Sequence, residues 1–139
     1  MRGRLAIAGS AVAVAVLVLA GCGGGGRLGA PHVRTIEIDV HYSAFSTTAI
    51  DVRPGETVRF KVRNRDPIAH ELIVGDQAVQ DYHEHGTEAH HASRPGEVSV
   101  AAGSTAETVY TFISRGTALF GCHLPGHWAY GMKGTITVA

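Results

Sequence analysis

Thr57-Val58-Arg59-Phe60-Lys61-Val62-Arg63 places apolar and charged side chains on alternate positions. That period of two is the signature of a strand with one face in a core and the other in water, with Val58, Phe60 and Val62 inward. Just upstream, Arg53-Pro54-Gly55 reads as a turn, in which proline fixes φ and glycine supplies a positive φ. The same texture continues outward on both sides. Residues 35–40 alternate, with Ile36, Ile38 and Val40 opposite in parity to Glu37 and Asp39, and residues 49–52 form a shorter run. Downstream, His70 to Val74 is an apolar strand after a loop over Asn64 to Ala69. Further strands are expected over 98–101, 107–112, 118–122 and 134–139. Seven to eight short strands separated by turn signals predict an all-β fold, a Greek-key β-sandwich of two antiparallel sheets. Frequent glycine and few aromatics (18 Gly, 6% Phe, Trp and Tyr) suit tight turns better than a helical bundle.

With 139 residues the chain has room for one domain. Its formal charge is zero, and setting aside residues 1–21, which hold Arg2 and Arg4, leaves 10 basic against 12 acidic residues, a net of −2. No basic run or aromatic-interleaved patch accompanies that balance, so no nucleic-acid partner is expected. Met1 to Arg4 is a short positive region, followed by an apolar stretch to Leu19 and then Leu19-Ala20-Gly21-Cys22. A membrane span needs about 20 apolar residues, and this stretch falls short and runs into glycines. Leu-Ala-Gly-Cys resembles the lipobox of bacterial lipoproteins, which implies that residues 1–21 are a signal peptide and that Cys22 is lipidated. Several acyl chains on one residue suffice for stable anchoring. Residues 22–32 then form a glycine-rich tether and residues 33–139 the folded domain, on the outer face of the cytoplasmic membrane.

If Cys22 carries lipid, Cys122 is the sole thiol of the mature chain and has no intrachain disulfide partner. Either a metal occupies it or it is a buried, inert strand residue; a lone thiol outside the cytoplasm leaves both readings standing.

Gly121-Cys-His-Leu-Pro-Gly-His-Trp-Ala-Tyr-Gly-Met132 lies between two predicted strands and offers thiolate, imidazole and thioether in the spacing Cys-x4-His-x4-Met. A soft thiolate with two imidazoles and a weak axial thioether suits copper, which must be held in both oxidation states. The second imidazole has to come from elsewhere, and His70, at a loop-to-strand junction, is the natural candidate. Taken singly, His70 reads as a hydrogen-bonded strand-end histidine and Met132 as a core filler. The joint spacing is what carries weight.

On these residues the region from about Val33 to Ala139 resembles the cupredoxins, with a spacing most like the rusticyanin and sulfocyanin branch. The Asn64…Pro67…His70 loop and the closing Gly131-Met-Lys-Gly-Thr-Ile-Thr-Val138 match as well. The resemblance implies one type 1 (blue) copper centre held by His70, Cys122, His127 and Met132, and one-electron transfer between redox partner proteins. It implies no catalysis and no small-molecule substrate. Electrons would pass through His127, within an exit patch of Leu124, Pro125 and Trp128, with Tyr130 nearby.

Two departures from the family pattern stand out. His123 directly follows Cys122, and on an extended backbone its side chain should face away from the metal. Glu71 stands where plastocyanin and azurin have an asparagine that ties the ligand loops together, so Asn64 is a candidate substitute. Residues 75–97 form a histidine-rich insert with room for a short helix, and His83, His85, His90 and His91 there could bind a second metal. A copper-delivery lipoprotein is the first rival reading. A copper enzyme such as a nitrite reductase needs a second, catalytic copper, and a zinc module makes poor use of a thioether.

Overall fold

The structure, a computed structural model, describes residues 33–86 and 94–139. The leader, Cys22, the tether, His90 and His91 lie outside the described residues. Among these residues the order is β1 (Val33–His41), β2 (Ala44–Phe45), β3 (Ala49–Val52), β4 (Glu56–Asn64), β5 (His70–Gly75), α1 (Gln77–Glu84), β6 (Glu97–Val100), β7 (Thr105–Phe112), β8 (Gly116–Gly121) and β9 (Lys133–Val138). Two sheets result, ordered β2-β1-β4-β7 and β3-β9-β8-β5-β6. Every strand expected from the alternation is present; β2, with two residues, is too short to leave a periodic signal.

The expectation of purely antiparallel sheets is corrected, because β1 pairs with β4 and β3 with β9 in parallel. After β2 the chain crosses to lay β3 on the edge of the other sheet and crosses back into β4. It therefore re-enters the first sheet in the direction of β1. Side-chain alternation is identical in parallel and antiparallel strands, so the pattern does not report direction.

The inward positions of β4, Val58, Phe60 and Val62, meet Ile38 and Val40 of β1 and the inner face of the second sheet, including Leu72, Val74, Val98, Val100, Phe120 and Ile136. Phe45 and Phe120 pack with ring centroids 5.5 Å apart. Gly55 takes φ +81°, as the Pro-Gly turn requires, and its N–H donates to the Phe112 carbonyl at 2.6 Å.

β5 is buried along its whole length. Leu72 and Val74 join the core, while α1 covers the opposite side, packing on β5 and β8. The helix starts where Asp76 caps it, accepting the Val79 N–H at 3.0 Å. Its single buried residue, Gln80, donates to the carbonyls of Ile73 and Leu119. No helix among the described residues is long and apolar enough to cross a membrane.

Candidate metal centre

Two loops meet at one end of the sandwich, 64–70 before β5 and 122–132 between β8 and β9. They bring His70, Cys122 and His127 together, with one ligand atom from each lying within 4.8 Å of the others. Cys122 Sγ is 3.2 Å from His127 Nδ1, and the His70 and His127 rings are 4.9 Å apart. Cys122 is fully buried, His70 is buried, and His127 is half-buried, so one imidazole reaches toward the surface. Met132 is buried in the same cluster as Cys122. Its N–H donates to the His127 carbonyl at 3.0 Å, and its carbonyl accepts the Cys122 N–H at 3.1 Å. The backbone of the fourth expected ligand thus closes the loop that holds two of the others.

The donor set fits a soft metal. His70 Nδ1 is buried without any hydrogen-bond partner. A buried polar atom in that state costs about 1–3 kcal/mol unless a ligand takes it. It belongs to the ring that shares the cluster with the Cys122 thiol and His127. Burial lowers the His70 pKa, with the nearby His127 acting in the same direction against Asp66, which favours the neutral imidazole a metal needs. Burial also pushes the Cys122 thiol up from 9.0 to about 11, although backbone N–H groups of Leu124 and Glu71 donate to the sulfur.

A pH dependence follows for the metal-free protein. Above pH 9 the unfolded thiol ionises while the folded one stays protonated, so stability is fully present below about pH 9 and falls until about pH 11. Two units correspond to a loss of about 2–3 kcal/mol, measurable by urea unfolding at pH 8.5 and pH 11. The Cys122→Ser variant should lose this component.

The supports around the ligands were only partly legible. Asn64 is buried, donating through Nδ2 to the carbonyls of Ile68 (2.7 Å), Ala101 (3.1 Å) and Val100 (3.2 Å) and accepting the Asp66 N–H at 2.9 Å. It holds the His70 loop against β6. Glu71 itself ties the two ligand loops, its carboxylate accepting the His123 N–H at 2.7 Å. Both residues therefore share the task for which Asn64 was the expected substitute. Asp66, four residues before His70 and 3.0 Å from its Nε2, carried no signal in the sequence beyond that spacing.

His123 faces away from the cluster, as expected. Its ring lies between Glu84 Oε2 at 2.9 Å (to Nδ1) and Gln80 Oε1 at 2.8 Å (to Nε2), and stacks on Trp128 with centroids 4.6 Å apart. Trp128 is half-buried and fills the space over Gly121, where a Cβ would come within 2.3 Å of the ring. Within the expected exit patch, Leu124 packs against the core and Pro125 is exposed, while Tyr130 is 92% exposed beside them in the loop. From the insert, His83 lies 3.4 Å from Glu97, and its ring is 6.0 Å from that of His123. His85 is exposed and turned to the Asp81 carbonyl. Among the described residues, only His70, Cys122 and His127 bring three such ligand atoms together.

A sandwich with a Cys-His-His cluster at one end is the frame of a copper-binding cupredoxin. The family model for copper binding proteins, plastocyanin/azurin family, matches residues 33–139, and the chain belongs to that family. The copper-resistant cuproprotein CopI of Rubrivivax gelatinosus is 41% identical over 98 residues, covering 68% of this chain and 59% of that protein. CopI of Pseudomonas aeruginosa is 30% identical over 137 residues, covering 76% of each chain. The chain thus spans less than two thirds of the Rubrivivax relative's length. Among solved structures, a dithionite-reduced auracyanin from Roseiflexus castenholzii superposes with a TM-score of 0.64 at 25% identity, covering 76% of this chain and 96% of that one. Copper, at a type 1 centre, is the cofactor of this protein.

Proposed function

We propose that this protein is a one-electron carrier on the outer face of the cytoplasmic membrane, anchored through a lipidated Cys22 and exchanging electrons with redox partner proteins. The observation that carries the reading is the ligand set assembled within 4.8 Å in a braced frame, with one imidazole half-buried at the surface. Copper, when bound, supplies a single-electron couple. The residues do the rest. The β8–β9 loop, closed by the Met132 backbone, keeps Cys122 and His127 at a fixed separation, and Asn64 and Glu71 pin His70 and the two loops. A frame that does not rearrange between oxidation states keeps the barrier to electron movement low. Leu124 and Pro125 offer apolar surface beside His127 for a transient contact, without steering by a large net charge. No bond is made or broken on a substrate in this scheme.

His127→Gly tests the exit route. Partner-dependent electron transfer, followed by stopped-flow absorbance with a small soluble reductant as control, should slow at least about tenfold, equivalent to about 1.4 kcal/mol of barrier. An unchanged rate with the partner would remove His127 from the path.

A second reading is copper handling, in which the protein carries the metal rather than the electron. The name of these CopI relatives, copper-resistant cuproprotein, favours it. So does the approach of His83 from the insert to His123 beside the ligand loop. In this reading the insert supplies a second, more exchangeable copper position, and copper passes readily to an acceptor chelator.

A further inference from the structure

We propose that Asp66 is a positioning residue of the copper centre: its carboxylate grips Nε2 of His70, presents Nδ1 to the metal, and favours the oxidised state. The inference rests on the copper-centre reading above and adds a determinant of its potential.

The geometry is specific. Asp66 is 6% exposed, with Oδ2 3.0 Å from His70 Nε2. With Nε2–H donating to that oxygen, the proton is committed to Nε2 and the lone pair is left on Nδ1. That is the buried atom without a partner. A carboxylate behind a ligating imidazole fixes the tautomer, orients the ring and raises its basicity.

The chain builds a dedicated cradle for this carboxylate. The N–H groups of Tyr42 and Ser43 donate to Oδ1 at 2.7 Å and Oδ2 at 2.8 Å. Both residues hold φ near +54°, in the left-handed region that side-chain-bearing residues seldom occupy. That conformation is the one a two-residue β1–β2 hairpin turn requires, and the turn brings both N–H groups to the one carboxylate. Asn64 Oδ1 fixes the Asp66 backbone, and half-exposed His41 lies 3.3 Å from Oδ1. Two backbone N–H donors and the His70 ring converge on the Asp66 oxygens, so the carboxylate stands as an anion one imidazole away from the metal. It stabilises Cu(II) more than Cu(I), because the oxidised ion carries the larger positive charge.

A merely structural Asp66, serving only to anchor the β1–β2 turn, would affect stability but leave the couple alone. The test is Asp66→Asn in the copper-loaded protein, by spectroelectrochemical titration. The Cu(II)-over-Cu(I) preference should fall at least about tenfold, a rise in reduction potential of about 59 mV or more. Because the variant disturbs the cradle, a second measurement uses the metal-free wild type. Nitrogen-15 NMR of His70 should show Nε2 protonated and Nδ1 bare. A proton on Nδ1 overturns the inference, as does an unmoved potential in folded, copper-loaded Asp66→Asn. If the wild type forms no thiolate–copper band, the copper-centre reading falls and this one with it. A normal wild-type centre with an unmoved variant potential sinks this inference alone.

Discussion

Replacing Cys122 with serine abolishes the intense visible absorption of the copper-loaded protein and weakens Cu(II) binding by more than about a hundredfold. Loss of an outer partner of a metal ligand already costs 10–100-fold in affinity, and Cys122 is expected to be a ligand itself. The substitution exchanges a thiolate, which shares charge with copper strongly enough to colour it, for a hydroxyl that does not ionise at neutral pH. It also removes the atom that sits 3.2 Å from His127 Nδ1, in the cluster that holds the unpartnered His70 Nδ1. Visible absorption and competition with a chelator of known affinity read both effects. A pale complex that survives in Cys122→Ser, and weakens when His83, His85, His90 and His91 are also replaced, would shift the weight to copper handling by the insert.

Asn64→Ala should lower the unfolding free energy by about 3 kcal/mol, from two or three lost hydrogen bonds and the buried carbonyls left behind. For a domain of this size that is a drop in Tm of roughly 10 °C or more. Of the three carbonyls that lose the amide, Ala101 keeps the Ser104 N–H and hydroxyl, so the damage falls on Ile68 and Val100, the clamp between the His70 loop and β6. Copper release to a chelator should therefore quicken as stability falls. Calorimetry of the metal-free variant checks the first effect and stopped-flow chelation the second. A variant with wild-type Tm would show that water replaces the amide at no cost.

The ligands and the supports differ in how plainly the sequence declares them. Cys122, His127 and Met132 sit in one loop, so their chemistry is visible as spacing, and His70 follows as the imidazole at a loop-to-strand junction. The strands were legible because Val58, Phe60 and Val62 alternate with charged neighbours, and that period is local. What joins distant segments left no such mark. The Glu71 carboxylate meets the His123 N–H 52 positions away, and Asp66 meets Tyr42 and Ser43 across 24 and 23 positions. These pairs exist only once the register of β1, β4, β5 and β8 is set. The same holds for His123, whose turn away from copper follows from backbone alternation but whose seat between Gln80 and Glu84 depends on where α1 packs. The parallel pairing of β1 with β4 was hidden for a related reason, since direction is decided by how the chain crosses between sheets.

The most direct test of the central claim is the visible spectrum of the protein with one equivalent of Cu(II), recorded through a cycle of mild reductant and oxidant. An intense blue band that bleaches on reduction and returns in full on reoxidation is the predicted result, because the thiolate and imidazoles stay in place through both states. A weak, pale spectrum, or a band that does not return because copper leaves on reduction, would contradict an electron carrier built on His70, Cys122, His127 and Met132.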